Sequence, residues 1–519
     1  MTQVDQVLLS ASATNLNVSY VYMQSVNSRM IKSMGHPDRY IRAHRVIAIL
    51  MIALLTTKGV AAEPTRLPSL GDASSRLISP QLEKQIGESF LKQIHAQLHT
   101  VDDPLLKYYV ELQIRALAQH SDLREPILSV IVVDNPEINA FAAPGGIVGI
   151  NLGLMLAARD VHEYASVMAH ELAHLSQRHF ARGVEERRAS TLPTIASLIA
   201  ALIIGAAGGG DAAVAAMGTA QAIGQANQLR FSREREAEAD RIGMNTLVRA
   251  GHDPSAMSRM FERMQQAYRF TRKPPEFLLT HPLSETRITD ARNQALDIPK
   301  GSYKSSLDYQ LMRVRAEVHF RKNHAQGIKE YEKRLRNDPS DKAADYGLAL
   351  SLSRTGEHDQ ALRRVEQLLN INAQSILYNA AYAELLIAAD RHEQARKLLS
   401  NQLVLNPDNA PLAMLYARSL NDEGLHTEAE EVLMQQSKVN PNDVDVWYEL
   451  AETAGLAGNI TGVHLARADF FYLHGAYHRA IQHLEYAQRL IRRTNPQMQA
   501  KLTQRIQDLR TAIRMQQQS

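Results

Sequence analysis

The stretch "MAHELAHLSQRH" (Met168–His179) places two histidines four residues apart, with a glutamate directly after the first. Residues four apart lie on one face of an α-helix. Residues 163–180 carry apolar side chains at helical spacing and contain neither glycine nor proline. We therefore predict that His170 and His174 project together from one helix. Two neutral imidazoles arranged in this way make half of a tetrahedral zinc site.

Glu171 follows the first histidine and can reach a metal-bound water without binding the metal itself. Zinc lowers the pKa of such a water toward ~7, so a neighbouring carboxylate can take its proton. This is the H-E-x-x-H arrangement of zinc metallopeptidases, although a surface helix with two histidines is the alternative. The presence of a third ligand would distinguish a zinc site from a surface helix with two histidines. His179 does not fit the metzincin pattern, because Gln177 and Phe180 stand where that pattern has glycine and histidine.

A candidate for the third ligand lies downstream in "FSREREAEADRIGM", where Glu236 and Asp240 share one face of a predicted helix. A carboxylate from this second helix would complete a His₂Glu site and leave the fourth position for water. Asp240 could accept a hydrogen bond from a ligand imidazole and fix its tautomer. Glu234 and Glu238 compete with Glu236 on composition alone, and a solvated, salt-bridged helix face is the alternative for all of them.

The C-terminal part of the sequence repeats with a period of about 34 residues, the length of a tetratricopeptide repeat. Small residues, helix-ending residues and prolines recur in phase at Ala349, Ala383, Ala417 and Ala451; at Gly356, Asp390, Gly424 and Gly458; at Ala361, Ala395 and Ala429; and at Pro339, Pro407 and Pro441. A weaker unit with Arg315 in the small-residue position precedes them. Such arrays bind extended segments in a concave groove, and a purely structural array is the alternative.

Composition and the N-terminus bear on location. The chain has 519 residues, a net charge of +3 and no cysteine. This length allows two or three domains, while the composition excludes disulfides and thiolate zinc sites and gives no reason to expect a nucleic-acid partner. The apolar run Val46–Leu55 follows three arginines and precedes small residues. We predict a secretory signal cleaved near Ala62, with a membrane anchor as the alternative.

The H-E-x-x-H motif followed by E-x-x-x-D resembles the metallopeptidase family that includes HtpX and the CAAX prenyl proteases. With a signal in front and repeats behind, the sequence is most similar to the periplasmic BepA-type proteases of Gram-negative bacteria. The resemblance implies Glu236 as ligand and Asp240 as its partner in the site. It implies a mainly α fold: a gluzincin-like zinc metallopeptidase domain of helices and a small β-sheet, followed by an α-solenoid. We expect a leader and signal peptide at 1–62, a metallopeptidase domain at 63–302 and a repeat domain at 303–519.

The same resemblance implies a periplasmic endopeptidase with one Zn²⁺ per chain, with Glu171 and Asp240 in the catalytic machinery. It would assist outer-membrane protein assembly and degrade precursors that stall. The implied partners are unfolded or stalled outer-membrane protein precursors and the β-barrel assembly machinery, together with a peripheral membrane contact. The alternative is a non-proteolytic chaperone or scaffold that binds the assembly machinery.

Three further segments are expected near the metal. Residues 147–150, after the turn Pro144–Gly146, read as a strand; the resemblance implies an edge strand that pairs with substrate, and an ordinary hairpin is the alternative. The apolar run Leu192–Ala207 is interpreted as a lid or a membrane-surface element, or else a buried hairpin. In "FLLTHPLSETRI", we hypothesise that His281 occupies the fourth metal position and keeps the enzyme latent; a hydrogen-bonded core histidine is the alternative. Arg287 either stabilises an oxyanion or holds this loop.

Overall fold

The computed structural model describes residues 78–186, 232–269, 276–299, 301–492 and 495–518. The predicted signal sequence and the apolar run Leu192–Ala207 therefore lie outside the described residues. Within those ranges, no helix combines the length and the apolar character needed to cross a membrane.

The N-terminal part, residues 78–299, combines helices with one small sheet. Its elements are α1 (Pro80–Gln97), α2 (Pro104–Ala118), β1 (Ser129–Val133), β2 (Ala140–Ala143), β3 (Ile147–Asn151), α3 (Leu152–Ala157), α4 (Val161–Ser176), α5 (His179–Glu186), α6 (Arg233–Arg249), α7 (Ser255–Arg269), α8 (Glu276–Thr280) and α9 (Glu285–Leu296). Side-chain caps begin the two helices that carry the motifs. Asp160 accepts hydrogen bonds from the first turn of α4, and Ser232 does so for α6.

The sheet has the order β1-β3-β2, with β3 parallel to β1 and antiparallel to β2. The turn that joins β2 to β3 contains Gly145 and Gly146 at φ 76° and 83°, a conformation that favours glycine. The strand after this turn was expected to be the edge, and that expectation is wrong. β3 lies at the centre because the hairpin places β2 on one side of it and the preceding chain supplies β1 on the other. The edge strand that packs against α4 is β2.

Helix α4 lies in the core and is buried from Val161 to His174. Such burial on all sides is typical of a helix enclosed by other elements, here α2, α6, α7 and β2. Gly243 permits the close crossing of α6, because a Cβ at this position would lie 3.0 Å from the His170 nitrogen and 3.1 Å from the Ala169 oxygen. The crossing brings the acidic motif of α6 against the histidine motif of α4.

The C-terminal part is an array of antiparallel helix pairs, as predicted. Its helices are α10 (Leu307–Phe320), α11 (His324–Asn337), α12 (Lys342–Arg354), α13 (His358–Ile371), α14 (Ile376–Ala388), α15 (His392–Leu405), α16 (Ala410–Asp422), α17 (His426–Val439), α18 (Val444–Leu456), α19 (Ile460–Leu473), α20 (Tyr477–Ile491) and α21 (Pro496–Gln518). The repeated alanines are buried. The predicted helix-ending position has positive φ in each unit, at Gly356, Asp390, Gly424 and Gly458.

Arg315 occupies the position where later repeats have alanine, and its contacts explain the substitution. Its guanidinium contacts Asp103 Oδ2 and Glu384 Oε1, each at 2.6 Å, and donates to the Tyr346 hydroxyl at 3.2 Å. Asp103 caps α2 in the N-terminal part. The first repeat is therefore joined to that part through a buried, charged contact. The Tyr309 hydroxyl adds a hydrogen bond to the Met155 carbonyl at 3.0 Å.

Candidate metal centre

Four buried side chains converge between α4 and α6, and each offers one ligand atom within 4.8 Å of the others: His170, His174, Glu236 and His281. None is more than 3% exposed. The Nε2 atoms of the two α4 histidines lie 3.0 Å apart. The two oxygens of Glu236 lie 3.6 Å from His170 Nε2 and 3.4 Å from His174 Nε2. The structure thus brings together the two predicted helices at the predicted residues.

The donor set fits a zinc ion. Ligand atoms of a tetrahedral zinc site, each about 2.0–2.1 Å from the ion, lie about 3.3 Å from one another. The separations above bracket that value. The buried carboxylates of Glu171, Glu236 and Asp240 lie together here, and the guanidinium of Arg287 contacts two of them. Because buried charges must be balanced, a divalent cation would complete this arrangement.

His281 lies directly after α8, at the fourth side of the cluster. Its Nδ1 is 3.0 Å from Glu236 Oε1 and 3.4 Å from His170 Nε2, and its Nε2 is 3.5 Å from Glu171 Oε1. The ring stacks on Phe277 with centroids 4.5 Å apart. The imidazole therefore occupies the space between the candidate ligands and the candidate base, where it could act as a fourth ligand.

The outer nitrogen of His170 faces a carboxylate, because its Nδ1 lies 2.9 Å from Asp240 Oδ1. Arg287 holds that carboxylate through two hydrogen bonds of 2.7 and 2.8 Å. Its remaining nitrogen contacts Glu236 Oε2 at 2.6 Å and donates to the Pro282 carbonyl at 2.8 Å. Every guanidinium nitrogen is engaged, so the geometry favours a role for Arg287 in holding the carboxylates and the loop over one at an oxyanion.

The outer nitrogen of His174 faces a second imidazole, a contact that the sequence analysis missed. His174 Nδ1 lies 2.9 Å from His179 Nδ1, and His179 Nε2 lies 3.2 Å from Glu238 Oε2. His179 lies in the same short stretch as His170 and His174, which was the one signal for this contact in the sequence. The two other glutamates considered as the third ligand lie elsewhere. Glu238 contacts His179, and Glu234 is exposed.

Burial and neighbouring charges set the protonation of the cluster. Burial holds the pKa of His174 well below its ordinary value, which favours the neutral form that binds metals. Burial alone would raise the pKa of Glu236, but His281, His170 and His174 hold it well below the usual range. Burial raises the pKa of Glu171, whose side chain is 1% exposed. Glu171 is thus the carboxylate of the cluster whose environment favours holding a proton.

Two family models and several curated proteins match this chain. The model described as Peptidase family M48 matches residues 104–295, and a tetratricopeptide repeat model matches residues 386–453. A putative beta-barrel assembly-enhancing protease of Vibrio cholerae is 34% identical over 453 residues, covering 86% of this chain and 93% of the relative. The beta-barrel assembly-enhancing protease of Escherichia coli is 32% identical over 305 residues, covering 58% and 62%. The mitochondrial metalloendopeptidase OMA1 of Schizosaccharomyces pombe is 29% identical over 216 residues, covering 41% and 60%.

A buried His-His-Glu donor set beside the H-E-x-x-H glutamate, in a helical domain with a small sheet, defines a zinc metallopeptidase. The helical repeats that follow add a second part to it. The similarity over nearly the whole Vibrio cholerae relative shows that the chain belongs to peptidase family M48, with the beta-barrel assembly-enhancing proteases. The expected fold class is confirmed: a zinc metallopeptidase domain precedes tetratricopeptide repeats.

Proposed function

We propose that this protein is a periplasmic zinc endopeptidase that assists outer-membrane protein assembly and degrades precursors whose assembly stalls. The observation that carries the proposal is the buried cluster of candidate ligands, with Glu171 directly beside it. The names of the relatives with the longest matches support the link to β-barrel assembly. In this proposal the peptidase domain spans residues 63–302 and the repeat domain spans residues 303–519.

His170, His174 and Glu236 are the proposed zinc ligands. Bound zinc supplies a Lewis acid that polarises the scissile carbonyl and makes a water acidic enough to lose its proton near neutral pH. Glu171 accepts the proton of the attacking water and passes it to the leaving amine, for which its raised pKa suits it. Asp240 holds the ring of His170, and Arg287 keeps Asp240 in place.

The edge strand β2 is the proposed binding site for extended substrate. This strand packs against α4, the helix that carries the proposed base Glu171. In the part of the chain that the structure describes, no strand pairs with the outer edge of β2. Main-chain hydrogen bonds to such an edge bind peptides with little demand on side-chain identity, which suits varied unfolded precursors.

His281 is the proposed latch of the site. Its nitrogens lie 3.0 Å from Glu236 and 3.5 Å from Glu171, so a substrate carbonyl and a water cannot enter without its departure. The repeat domain is the proposed binding surface for precursors and for the β-barrel assembly machinery, with peripheral contact to the membrane. Latency of the peptidase would then let the repeats hold a precursor without cleaving it.

Replacing Glu171 with glutamine tests the proposed base. The variant should bind one zinc ion per chain yet cleave an unfolded outer-membrane β-barrel protein about 10²–10⁴-fold more slowly. Glu163→Gln is the matched control, because Glu163 is a buried glutamate on the same helix that pairs with Arg263, away from the cluster. Full activity in the Glu171→Gln protein would refute the assignment.

Two further measurements separate the latch and the assembly role. His281→Ala should raise the rate of cleavage, and an unchanged or lower rate argues against a latch. Cells that lack the related protease can be supplied with Glu171→Gln protein and scored for outer-membrane assembly. Rescue by this inactive protein would favour the scaffold role over degradation, whereas failure would tie assembly to cleavage.

A further inference from the structure

A chain of polar contacts runs from His174 to the surface of α6. His179 is fully buried and faces His174 edge-on, with ring centroids 4.7 Å apart and planes at 79°. Its Nδ1 lies 2.9 Å from His174 Nδ1, and its Nε2 lies 3.2 Å from Glu238 Oε2. Arg182 then holds Glu238 at 2.9 Å. An imidazole, a carboxylate and a guanidinium therefore stand in series behind one candidate ligand.

The backbone is bent to make this contact. Residues five apart on a continuous helix are rotated by about 140° from each other, so an unbroken α4 would carry His179 away from His174. Arg178, between α4 and α5, instead has φ 51°, a conformation uncommon for a residue other than glycine. Its side chain is held by Glu83 at 2.8 Å and by the Ile78 carbonyl at 2.8 Å. Backbone strain of this kind persists where surrounding contacts enforce it, often at functional sites.

We propose that His179 and Glu238 are positioning residues that fix the tautomer and the orientation of His174 for zinc. The inference rests on the proposed role of His174 as a zinc ligand through Nε2. The His174 proton must then lie on Nδ1, which donates to Nδ1 of His179. His179 must accept there, so its own proton lies on Nε2 and is donated to Glu238. The distances allow this single assignment of donors and acceptors along the whole chain.

The two ligand histidines are therefore oriented in different ways. His170 contacts the carboxylate of Asp240 directly, whereas His174 reaches Glu238 through a neutral ring. Both carboxylates belong to α6, and both are held by an arginine. A carboxylate partner makes a ligand imidazole more basic. The intervening ring orients His174 without adding a carboxylate beside the buried cluster.

Zinc affinity of the purified full chain, measured by competition with a chelator, tests the proposal. Loss of a partner that orients a ligand typically lowers metal affinity about 10–100-fold. We expect a loss of this size in His179→Phe, which keeps an aromatic ring but removes both nitrogens. His179→Gln should recover part of the affinity, because its side-chain oxygen can accept the proton of His174. Glu238→Leu should show a smaller loss in the same direction.

His252→Phe is the matched control. His252 is a half-buried histidine whose Nδ1 lies 2.9 Å from Nδ1 of His162, at the opposite end of α4. The substitution removes an imidazole pair with the same Nδ1–Nδ1 distance but should leave zinc affinity unchanged. A second readout follows tautomers directly: ¹⁵N spectra of the zinc-loaded, histidine-labelled protein should show His179 protonated only on Nε2, the signal being identified by its absence from His179→Gln.

The outcomes separate this proposal from the function on which it rests. If His174→Ala keeps its zinc affinity, the ligand assignment itself fails. If His174→Ala loses zinc while folded His179→Phe binds as tightly as the unmodified chain, the ligand stands and the positioning role is overturned. If circular dichroism shows that His179→Phe does not fold, Glu238→Leu decides instead, because Glu238 is partly exposed. Unchanged zinc affinity in Glu238→Leu would then overturn the positioning role.

Discussion

Replacing Arg315 with methionine should weaken the attachment of the repeats to the peptidase domain. This arginine pairs with both Asp103 of the N-terminal part and Glu384 of the third helix pair. Methionine retains much of the apolar stem but supplies no donor. Two largely buried carboxylates, with side chains 15% and 23% exposed, would then face each other without a cation.

The expected loss follows from that geometry. Removing one partner of a buried ion pair costs about 3–5 kcal/mol, because the remaining charge is left uncompensated. Both carboxylates retain some contact with water, so we expect a value near the lower end, about 3 kcal/mol. Arg336→Met is the control, because Arg336 is 67% exposed and lies 3.9 Å from Glu332. Such a surface pair contributes about 0–1 kcal/mol.

Urea unfolding followed by circular dichroism gives the change in free energy, and hydrogen exchange at α2 and α14 locates it. A triple variant, Arg315→Met with Asp103→Asn and Glu384→Gln, removes the stranded charges while asparagine keeps the cap of α2. It should recover most of the lost stability. The reasoning fails if Arg315→Met is as stable as the unmodified chain, or if the triple variant is no more stable than Arg315→Met.

Three shorter predictions concern the site and its surroundings. Gly243→Ala should cost about 1–3 kcal/mol and lower zinc affinity, because its Cβ would meet the α4 backbone at 3.0 Å; Gly455→Ala, where the nearest atom is 3.7 Å away, should be neutral or gain up to about 1 kcal/mol. Burial lowers the pKa of His95 from 6.5 to about 4, so the free energy of unfolding should hold its His95 contribution above pH 6.5 and lose it as the pH falls toward 4, where the buried ring must become charged; urea midpoints of His95→Phe should lose that part of the pH dependence. Removing zinc with a chelator should lower the melting temperature and free zinc should restore it, since a ligand at 1,000 times its Kd stabilises by about 4 kcal/mol; an unchanged melting temperature would contradict a site formed in the folded chain.

The repeat array could be predicted from the sequence because each unit imposes the same local requirements on the same positions. Small residues must stand where helices touch, and a residue tolerant of positive φ must end the first helix. Asp390 meets the second requirement at φ 57° without being a glycine, and its phase in the repeat identified it. Arg315 broke the pattern at one position, and only the structure reveals the carboxylates of two distant segments that it joins.

The candidate site could be predicted only where helical periodicity relates its residues. His170, Glu171 and His174 follow from one helix face, and Glu236 with Asp240 from another. The edge position of β2 depends on which neighbour pairs with β3, a choice that strand patterns do not encode. The contact of His179 with His174 depends on one residue of positive φ, and no helical spacing predicts it.

The contacts that attach the first repeat to the N-terminal part lie away from the metal cluster. The first repeat contacts α2 through Asp103, the end of α3 through Met155, and the N-terminal turns of α4 through Tyr164 and His162. The candidate ligands lie at the opposite end of α4 and on α6. The repeats are thus fixed to the scaffold of the site rather than to its ligands. Because catalytic geometry and precursor binding then depend on separate contacts, loosening the Arg315 clamp should alter KM for long unfolded precursors while leaving kcat for short peptides unchanged.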